Sequence, residues 1–310
     1  MFSVYLPPDW NHCQAERLID LLRSDAKIIR DVSSVDVMVC GRPSAEMIEK
    51  CSPSLLLVPF AGIPPETLAL ARKYPTMRLH NLHHNAQAVA ETAVALMLAA
   101  AGRIPQSDAA LRKGDWSVRY NASRSILLGG SRVLVLGYGN IGRRVGRACK
   151  ALEASVTGIV RTPRSEPDTA TRESLHSLLR KTDFLVCCMP LTEETRNMIG
   201  SVELSLLHCR SVLVNVGRAG VVSEDALYSA LSKREIGAAG LDVWYRPADD
   251  GMPSNLPFHE LDNVVMSPHV GGAFGIPELE DERTRGIVRA VRAFVRGEPV
   301  PFPVNLDLGY

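Results

Sequence analysis

The chain carries a glycine-rich turn between an apolar run and a helical pattern, at residues 132–147. The segment reads R-V-L-V-L-G-Y-G-N-I-G-R-R-V-G-R, so Gly137, Gly139 and Gly142 follow a β-type run and precede an amphipathic stretch. We expect Gly137 to adopt the positive φ of a tight turn, Gly139 to admit a phosphate close to the backbone, and Gly142 to let the helix pack near the strand. The unbonded N–H groups at the start of such a helix bind phosphates. Strand, turn and helix together predict a dinucleotide-binding unit.

Apolar β-type runs alternate with helical patterns along the whole chain of 310 residues. This order predicts parallel sheets covered by helices, and the length suggests about two domains. The predicted fold class is therefore α/β, with two Rossmann-like domains. In the first part of the chain we predict strands near residues 3–6, 37–40, 55–60 and 79–81. From residue 132 onward we predict strands near 133–136, 155–160, 184–188, 211–215, 238–242 and 264–266, the number in a full dinucleotide fold.

Two long helical patterns, at residues 86–101 and 278–296, lie on either side of the second set of strands. A polar, glycine-containing stretch follows the first pattern, and we place the crossing into the second domain there. We expect the second pattern to cross back to the first domain. The prediction is a smaller flavodoxin-like substrate domain in residues 1–92 and 275–310, with a cofactor domain of residues 93–274 inserted into it.

Composition limits the classes of partner that the chain can have. Hydrophobic residues make up 46% of the chain, charged residues 22%, and the formal net charge is +1. Such a balance gives no electrostatic reason to bind nucleic acid or an anionic membrane, so we expect a small-molecule partner. Seven cysteines without a C-x-x-C pair indicate reduced core thiols in a cytoplasmic protein. The apolar stretch at 89–101 is too short to span a bilayer, and the N-terminus lacks a signal pattern.

Histidines at 80, 83 and 84, in L-H-N-L-H-H-N, resemble a metal site in composition. No acid or cysteine shares their spacing, whereas zinc sites usually draw on a fuller set of ligands. We therefore predict no metal.

Polar residues directly after strands of the nucleotide sheet are the candidate site residues, because ligands collect at the carboxyl ends of parallel strands. Arg218 follows one strand in V-L-V-N-V-G-R-A-G, Asp242 lies in G-L-D-V-W, and His269 follows another strand in V-V-M-S-P-H-V-G-G. An arginine can hold a carboxylate with the neighbouring carbonyl oxygen, and a histidine can deliver a proton. Alone, each is more often a surface or structural residue. Their shared placement favours the reduction of a 2-oxo acid by hydride transfer.

Five motifs along nearly the whole chain resemble the D-isomer-specific 2-hydroxyacid dehydrogenase family. They are A-V-A-E-T-A-V-A-L-M-L at 88–98, G-Y-G-N-I-G at 137–142, M-P-L-T-E-E-T-R-N-M-I-G at 189–200, V-N-V-G-R-A-G-V-V-S-E-D-A-L at 214–227 and L-D-N-V-V-M-S-P-H at 261–269. The resemblance implies an NAD(P)-dependent oxidoreductase that transfers a hydride between the nicotinamide and a small 2-oxo acid or D-2-hydroxy acid. It implies a glyoxylate/hydroxypyruvate reductase-like enzyme and a homodimer.

The resemblance also implies a role for each residue that matches a family motif. Arg218 is implied to bind the substrate carboxylate and orient its carbonyl, His269 to be the acid/base residue, and Asp242 to contact the nicotinamide carboxamide. The first-domain loop whose backbone N–H groups bind the substrate carboxylate falls at Ala61, Gly62 and Ile63. The implied cofactor-binding residues are Gly137, Gly139, Asn140, Ile141, Gly142, Val160, Arg161, Met189, Pro190, Thr195, Val216, Gly217 and Asp242.

The chain departs from the family at the acidic partner of the histidine. The family has a glutamate in a D-V-F-x-x-E-P type segment, and its carboxylate pairs with the catalytic histidine. Residues 242–247 here read D-V-W-Y-R-P, so Arg246 or Pro247 stands in that place. An imidazolium beside an arginine is disfavoured. Either the histidine works without an acid, as formate-oxidising relatives lack this glutamate too, or one of four acids serves: Asp249, Asp250, Glu260 or Glu278.

The missing glutamate also leaves a second hypothesis open. The chain could be a catalytically weak dinucleotide-binding regulatory protein of the same fold. The presence of both Arg218 and His269 favours the enzyme, because a pure binding module does not need that pair.

A second departure concerns the choice of cofactor. An NAD-preferring site usually places an acid after the second strand, where it accepts the ribose hydroxyls. The segment T-G-I-V-R-T-P-R at 157–164 has Val160 in that place, followed by Arg161. This removes a repulsion against a 2′-phosphate and supplies a cation. We predict NADP(H) as the favoured cofactor, with NAD(H) as the alternative.

Overall fold

The computed structural model describes residues 1–8, 10, 12–273 and 275–310, and its contacts divide the chain into two compact units. The first unit comprises Met1–Asn85 and Ala273–Tyr310, and the second comprises Ala86–Gly272. The predicted boundary at 92/93 falls within the helix Ala86–Gly102, which is continuous and belongs whole to the second unit. The other predicted boundary, at 274/275, adjoins Phe274, which lies outside the described residues.

The first unit contains a five-stranded parallel sheet in the order β2-β1-β3-β4-β5. This is the strand order of flavodoxin-like folds, as predicted. Its strands are β1 (Phe2–Tyr5), β2 (Ala26–Ile29), β3 (Val37–Val39), β4 (Leu55–Val58) and β5 (Arg78–Asn81). Its helices are α1 (His12–Leu22), α2 (Ala45–Cys51), α3 (Pro65–Lys73) and α10 (Pro277–Val295).

Two hydrophobic clusters cover the two faces of this sheet, which explains why β4 reads as an uninterrupted apolar run, L-L-L-V. Helix α10 supplies part of one cluster, because Ile287 and Val291 pack there with Val4 and Leu57 of the strands. The C-terminal segment therefore completes the first unit, and the second unit is inserted into the first along the chain.

The second unit contains a seven-stranded parallel sheet in the order β12-β11-β10-β9-β6-β7-β8. This is the doubly wound dinucleotide-binding order extended by one strand, with the order reversing between β6 and β9. Its strands are β6 (Arg132–Leu136), β7 (Ser155–Ile159), β8 (Thr169–Ala170), β9 (Phe184–Cys187), β10 (Val212–Asn215), β11 (Ala238–Leu241) and β12 (Val264–Met266). Its helices are α4 (Ala86–Gly102), α5 (Ile104–Leu111), α6 (Asn140–Ala151), α7 (Leu175–Leu179), α8 (Ser201–Ser205) and α9 (Glu224–Ser232).

The alanine-rich helix α4 packs directly on the sheet of the second unit, where Ala93 and Met97 are fully buried. It approaches β11 so closely that a Cβ on Gly240 would lie 2.8 Å from the Cβ of Leu96. Small residues on both surfaces permit this packing. Within the described residues no single helix is long and apolar enough to cross a membrane. Helices α4 and α5, which are bent by 62° relative to each other, have the length and composition of a membrane span only when they are taken together.

All of the predicted strands are present, but the prediction missed β2 and β8. The edge strand β2 has only four residues, A-K-I-I, and one of them is fully buried, so it carries no clear alternation. Strand β8 has two residues and pairs only with β7. Of the cysteines whose side chains the structure describes, four are buried, Cys188 is half-buried and Cys209 is exposed; the side chain of Cys13 lies outside the described residues.

Candidate active site

The glycine turn has the geometry that its sequence predicts. Gly137 has a φ of +86°, and its N–H donates to the Ile159 carbonyl oxygen over 3.2 Å. A Cβ on Gly142 would lie 2.3 Å from the Gly137 carbonyl oxygen, so no larger residue fits while helix α6 keeps this distance from β6. Around Gly139 the space is open, with no heavy atom within 4 Å of an added Cβ. The backbone at Gly139 is therefore accessible to a ligand.

Helix α6 begins at Asn140 directly after Gly139, and no side chain caps its first turn. The N–H groups of Asn140 and Ile141 thus lie in a helical turn that has no internal acceptor for them. Such a turn attracts anions through its N–H groups and the helix dipole. The residues present fit the pyrophosphate of a dinucleotide.

Tyr138, the residue between the first two glycines, packs against helix α6 and strand β7, and the sequence did not predict this contact. Its ring passes so close to Gly146 of α6 and Gly158 of β7 that added Cβ atoms there would lie 2.5 and 2.1 Å from the tyrosine. The guanidinium of Arg143 lies 5.7 Å from the ring centroid and forms a bidentate pair with Glu166, at 2.6 and 2.7 Å. A glycine in the middle of each facing element was the available signal, since glycine weakens strands and helices unless close packing needs it.

The end of β7 places Val160 and Arg161 at one side of the glycine turn. Val160 is buried, and its N–H donates to the Ala170 carbonyl oxygen over 2.9 Å. Arg161 is exposed and lies 3.2 Å from Glu194 through its Nη2 atom. A ligand phosphate at Arg161 therefore competes with a carboxylate for the same guanidinium.

The loops after β9 and β10 pack against each other through glycine. A Cβ on Gly217 would lie 2.6 Å from the Met189 carbonyl oxygen, and the Val216 N–H donates to the Cys187 carbonyl oxygen over 3.1 Å. The hydroxyl of Thr195 donates to the Pro190 carbonyl oxygen over 2.8 Å and accepts the Thr192 N–H over 2.7 Å. Thr195 thus fixes the shape of its own loop.

Arg218 follows β10, and one of its guanidinium N–H groups donates to the Gly217 carbonyl oxygen over 2.8 Å. Among the described residues of the second unit, no carboxylate pairs with it. The side chain is exposed, yet the surrounding protein removes enough water to lower the pKa of the guanidinium, which remains protonated at neutral pH. Most of its donors are thus available to an anionic ligand.

Asp242 follows β11 and is almost fully buried, with 2% of its surface exposed. One carboxylate oxygen accepts the Ser267 hydroxyl over 2.7 Å and the Val270 N–H over 3.0 Å. The other accepts the Gly271 N–H over 2.9 Å. These bonds bind Asp242 to the turn that carries His269.

His269 follows β12 on an exposed turn and has a φ of +57°, in the left-handed region. Among the described residues of the second unit, its imidazole forms no hydrogen bond or ion pair. Both ring nitrogens are therefore available to a ligand.

The strand order brings these residues to one edge of the sheet. From β12 to β7, the carboxyl ends carry His269, Asp242, Arg218, Met189 with Pro190, the glycine turn, and Val160 with Arg161. Adjacent strands lie about 4.8 Å apart, so Arg218 and His269 are separated by the width of one strand, β11. A dinucleotide along this edge would place its ribose near β7 and its nicotinamide near β9 and β10.

Arg246, which stands at the place of the family's glutamate, pairs with Asp250 over 3.3 Å. Glu260 lies 3.9 Å from His259, and neither it nor Asp249 or Asp250 is bonded to His269. Glu278, the fourth candidate acid, lies in the first turn of α10 in the first unit. Inside the second unit, the described acids leave His269 without a carboxylate partner.

In the first unit, the predicted substrate loop follows β4, with Ala61, Gly62 and Ile63 each half-buried. The buried amide of Asn81, at the end of β5, donates to the Ala61 carbonyl oxygen over 2.6 Å. The prediction missed Asn81, whose position directly after a buried strand was the available signal. Asn81 holds the loop against the sheet.

The histidines at 80, 83 and 84 make unrelated contacts. His80 donates through Nδ1 to the Pro301 carbonyl oxygen over 2.9 Å, and His83 packs edge-on against Phe302. Burial, with Arg283 nearby, lowers the pKa of His84 to about 4, so His84 is neutral at pH 7. In the part of the chain that the structure describes, no three potential metal ligands come together.

The second unit has the doubly wound sheet and the accessible glycine turn of a dinucleotide-binding domain. With Arg218 and His269 at the same edge of the sheet, this arrangement is typical of a dinucleotide-dependent oxidoreductase. Residues 94–271 match the sequence model of the D-isomer specific 2-hydroxyacid dehydrogenase NAD-binding domain. The chain belongs to the D-isomer specific 2-hydroxyacid dehydrogenase family. It is thus an NAD(P)-dependent oxidoreductase that acts on 2-hydroxy acids or the corresponding 2-oxo acids.

Individual relatives agree with this assignment. The chain is 31% identical to a glyoxylate reductase of Thermococcus onnurineus over 291 residues, which cover 90% of this chain and 85% of that protein. It is 29% identical to a D-3-phosphoglycerate dehydrogenase of Methanocaldococcus jannaschii over 93% of its own length, but spans only 58% of that longer protein. The solved structure of a protein described as a "probable 2-hydroxyacid dehydrogenase" of Rhizobium etli, in complex with NADP, HEPES and L(+)-tartaric acid, has the same fold, with a TM-score of 0.82 at 22% identity over 100% of both chains.

Proposed function

We propose that the protein is an NADP(H)-dependent reductase of small 2-oxo acids, such as glyoxylate or hydroxypyruvate, that forms the D-hydroxy acid. The observation that carries this proposal is the placement of Arg218 and His269 at the ends of β10 and β12, one strand apart. Both side chains lack an acidic partner among the described residues of their unit, so both are available to an anionic substrate.

Each residue has a distinct part in the proposed reaction. The nicotinamide, when bound, supplies the hydride to the carbonyl carbon. Arg218 binds the substrate carboxylate and stabilises the negative charge that develops on the carbonyl oxygen. His269 donates a proton to that oxygen, which completes the hydroxyl group.

Absorbance at the reduced nicotinamide band tests this function directly. The purified protein, NADPH and each of a panel of 2-oxo acids should give oxidation of NADPH, and chiral analysis should find the D-hydroxy acid. Tight cofactor binding without turnover of any 2-oxo acid would contradict the proposal and support the dinucleotide-binding regulatory protein instead.

The cofactor preference depends on Arg161. Arg161→Ala should weaken NADPH binding about tenfold or more and NADH binding less than about twofold, because a charge-assisted bond to a phosphate is lost only for NADPH. Glu194→Gln provides the matched control. It removes the carboxylate that competes for Arg161 and should strengthen NADPH binding. Fluorescence titration of both cofactors measures these changes, and equal effects of Arg161→Ala on both would show that Arg161 does not bind the 2′-phosphate.

We also propose a homodimer formed through the second unit. Within residues 104–127 of that unit, five large apolar side chains are between 50% and 84% exposed, and a group of exposed apolar residues is typical of an interface between copies. We call this set the arm patch: Ile104, Leu111, Trp116, Tyr120 and Leu127. Sedimentation should give about twice the chain mass of 33.8 kDa, and Trp116→Glu should shift the protein towards monomer. Val202→Glu, at a residue 61% exposed on α8, is the control, and equal shifts for both variants would contradict this interface.

A further inference from the structure

Two side chains, Asp242 and Trp244, form hydrogen bonds to the backbone of the turn that carries His269. Asp242 accepts the N–H groups of Val270 and Gly271, the two residues directly after the histidine. The indole N–H of Trp244 donates to the Ser267 carbonyl oxygen over 2.8 Å, two residues before it. The turn is therefore bonded on both sides of His269, and the Ser267 hydroxyl joins the two anchors through its bond to Asp242.

Close packing fixes the anchors themselves. A Cβ on Gly271 would lie 2.6 Å from an Asp242 carboxylate oxygen, so only glycine allows this approach. The Trp244 ring packs edge-on against the buried ring of Phe258, with the centroids 6.3 Å apart. Packing thus restrains each anchor in addition to the bonds that it makes to the turn.

These anchors have a consequence for His269, whose left-handed backbone is unfavourable for a residue with a Cβ. Such a conformation persists when the surrounding contacts determine it, and it is common where a side chain must be held for function. A carboxylate partner would orient an imidazole through its ring, but no described acid of the second unit pairs with this one. Within the second unit, the bonds that fix the orientation of His269 are those to the backbone of its turn.

We propose that Trp244 and Asp242 are positioning residues, which replace the missing acidic partner by fixing the backbone of the His269 turn. The proposal rests on the proposed function, because it gives His269 the role of proton donor. Trp244 stands where the family motif has a phenylalanine, and a phenylalanine has no N–H group to offer Ser267. The tryptophan and the absent glutamate thus occur in the same segment, 242–247.

Trp244→Phe tests the proposal, because it keeps an aromatic ring against Phe258 and removes the indole donor to Ser267. We expect kcat for 2-oxo acid reduction to fall about three- to tenfold, the range for one neutral hydrogen bond. The KM of the oxo acid and the dissociation constant of NADPH should stay within about twofold. Hydrogen exchange at the Val270 and Gly271 amides should be faster, because the turn has lost one of its anchors.

Tyr245→Phe is the matched control. It changes the next residue, another aromatic on Phe258, and removes a hydroxyl that donates to the Val222 carbonyl oxygen over 3.1 Å, away from the His269 turn. It should leave kcat and the exchange of both amides unchanged. If Trp244→Phe fails to fold, Ser267→Ala removes the bond to Asp242 and should give the same two effects.

Wild-type values of kcat and of amide exchange in Trp244→Phe would overturn the proposal, as would equal losses in Tyr245→Phe. Failure of the proposed function is a separate result. If the wild-type protein reduces no 2-oxo acid, the amide exchange still tests whether Trp244 holds the turn.

Discussion

Replacing Arg218 by alanine should lower kcat/KM for 2-oxo acids about a thousandfold and leave the affinity for NADPH within about twofold. The loss is large because one guanidinium binds the substrate carboxylate and also faces the oxygen on which charge develops, and a single such donor is worth about 10²- to 10³-fold in rate. NADPH affinity should persist because, among the described residues of the second unit, the Arg218 guanidinium bonds to the Gly217 carbonyl oxygen alone, so its removal leaves the contacts of the glycine turn intact. Steady-state kinetics and cofactor titration measure both quantities.

Two further variants make this result specific. Arg218→Lys keeps a charge but loses the planar pair of donors, so it should recover only a small part of the activity. Arg180→Ala removes an exposed arginine at the end of α7, before β9 and hence near the opposite edge of the sheet. It should leave the kinetics unchanged. An Arg218→Ala enzyme that works at the wild-type rate would remove Arg218 from the site.

The second large effect is expected at Gly142. An added Cβ would lie 2.3 Å from the Gly137 carbonyl oxygen and 3.0 Å from Val135, so Gly142→Ala must displace helix α6 or distort the turn. Overpacking of this kind costs about 1–3 kcal/mol. Because the turn and the start of α6 form the proposed phosphate site, NADPH affinity should fall at least about a hundredfold. Thermal unfolding and cofactor titration measure the two effects.

Substitutions at two other glycines distinguish an effect on the stability of the fold from an effect on NADPH binding. Gly139 has a φ of −94° and open space around it, so Gly139→Ala should fold normally but obstruct the approach of the pyrophosphate. At Gly129 an added Cβ would make only an ordinary contact, 3.5 Å from the Leu152 carbonyl oxygen, and Gly129→Ala should change neither quantity. Normal unfolding and normal NADPH binding in Gly142→Ala would refute the close approach of helix and strand.

The sequence predicted those elements whose pattern lies within one short, continuous segment of the chain. The glycine turn and the buried parallel strands are continuous segments, and each shows its pattern within a few residues. Strand β2 shows no such pattern, because an edge strand of four residues needs neither alternation nor a long apolar run. The strand ends also indicated which residues share an edge, since parallel strands bring their carboxyl ends together.

The contacts of the site residues could not be read in this way. Arg161 is separated from Glu194 by 33 residues, and Asp242 from Gly271 by 29, and no pattern in the sequence connects either pair. The resemblance implies a contact of Asp242 with the cofactor, and no pattern in the sequence indicated the three hydrogen bonds of its carboxylate to the His269 turn. Pairing of this kind depends on the three-dimensional distance between loops.

The order in which the chain joins its two units determines when each can be completed during synthesis. Residues 86–272 are continuous, so a ribosome releases every part of that unit before it reaches the last helix. Residues 1–85 of the first unit are made before it, but their core lacks Ile287, Val291 and the rest of α10 until that helix follows. Nascent chains must therefore carry an incomplete core of the first unit while residues 86–272 are being made.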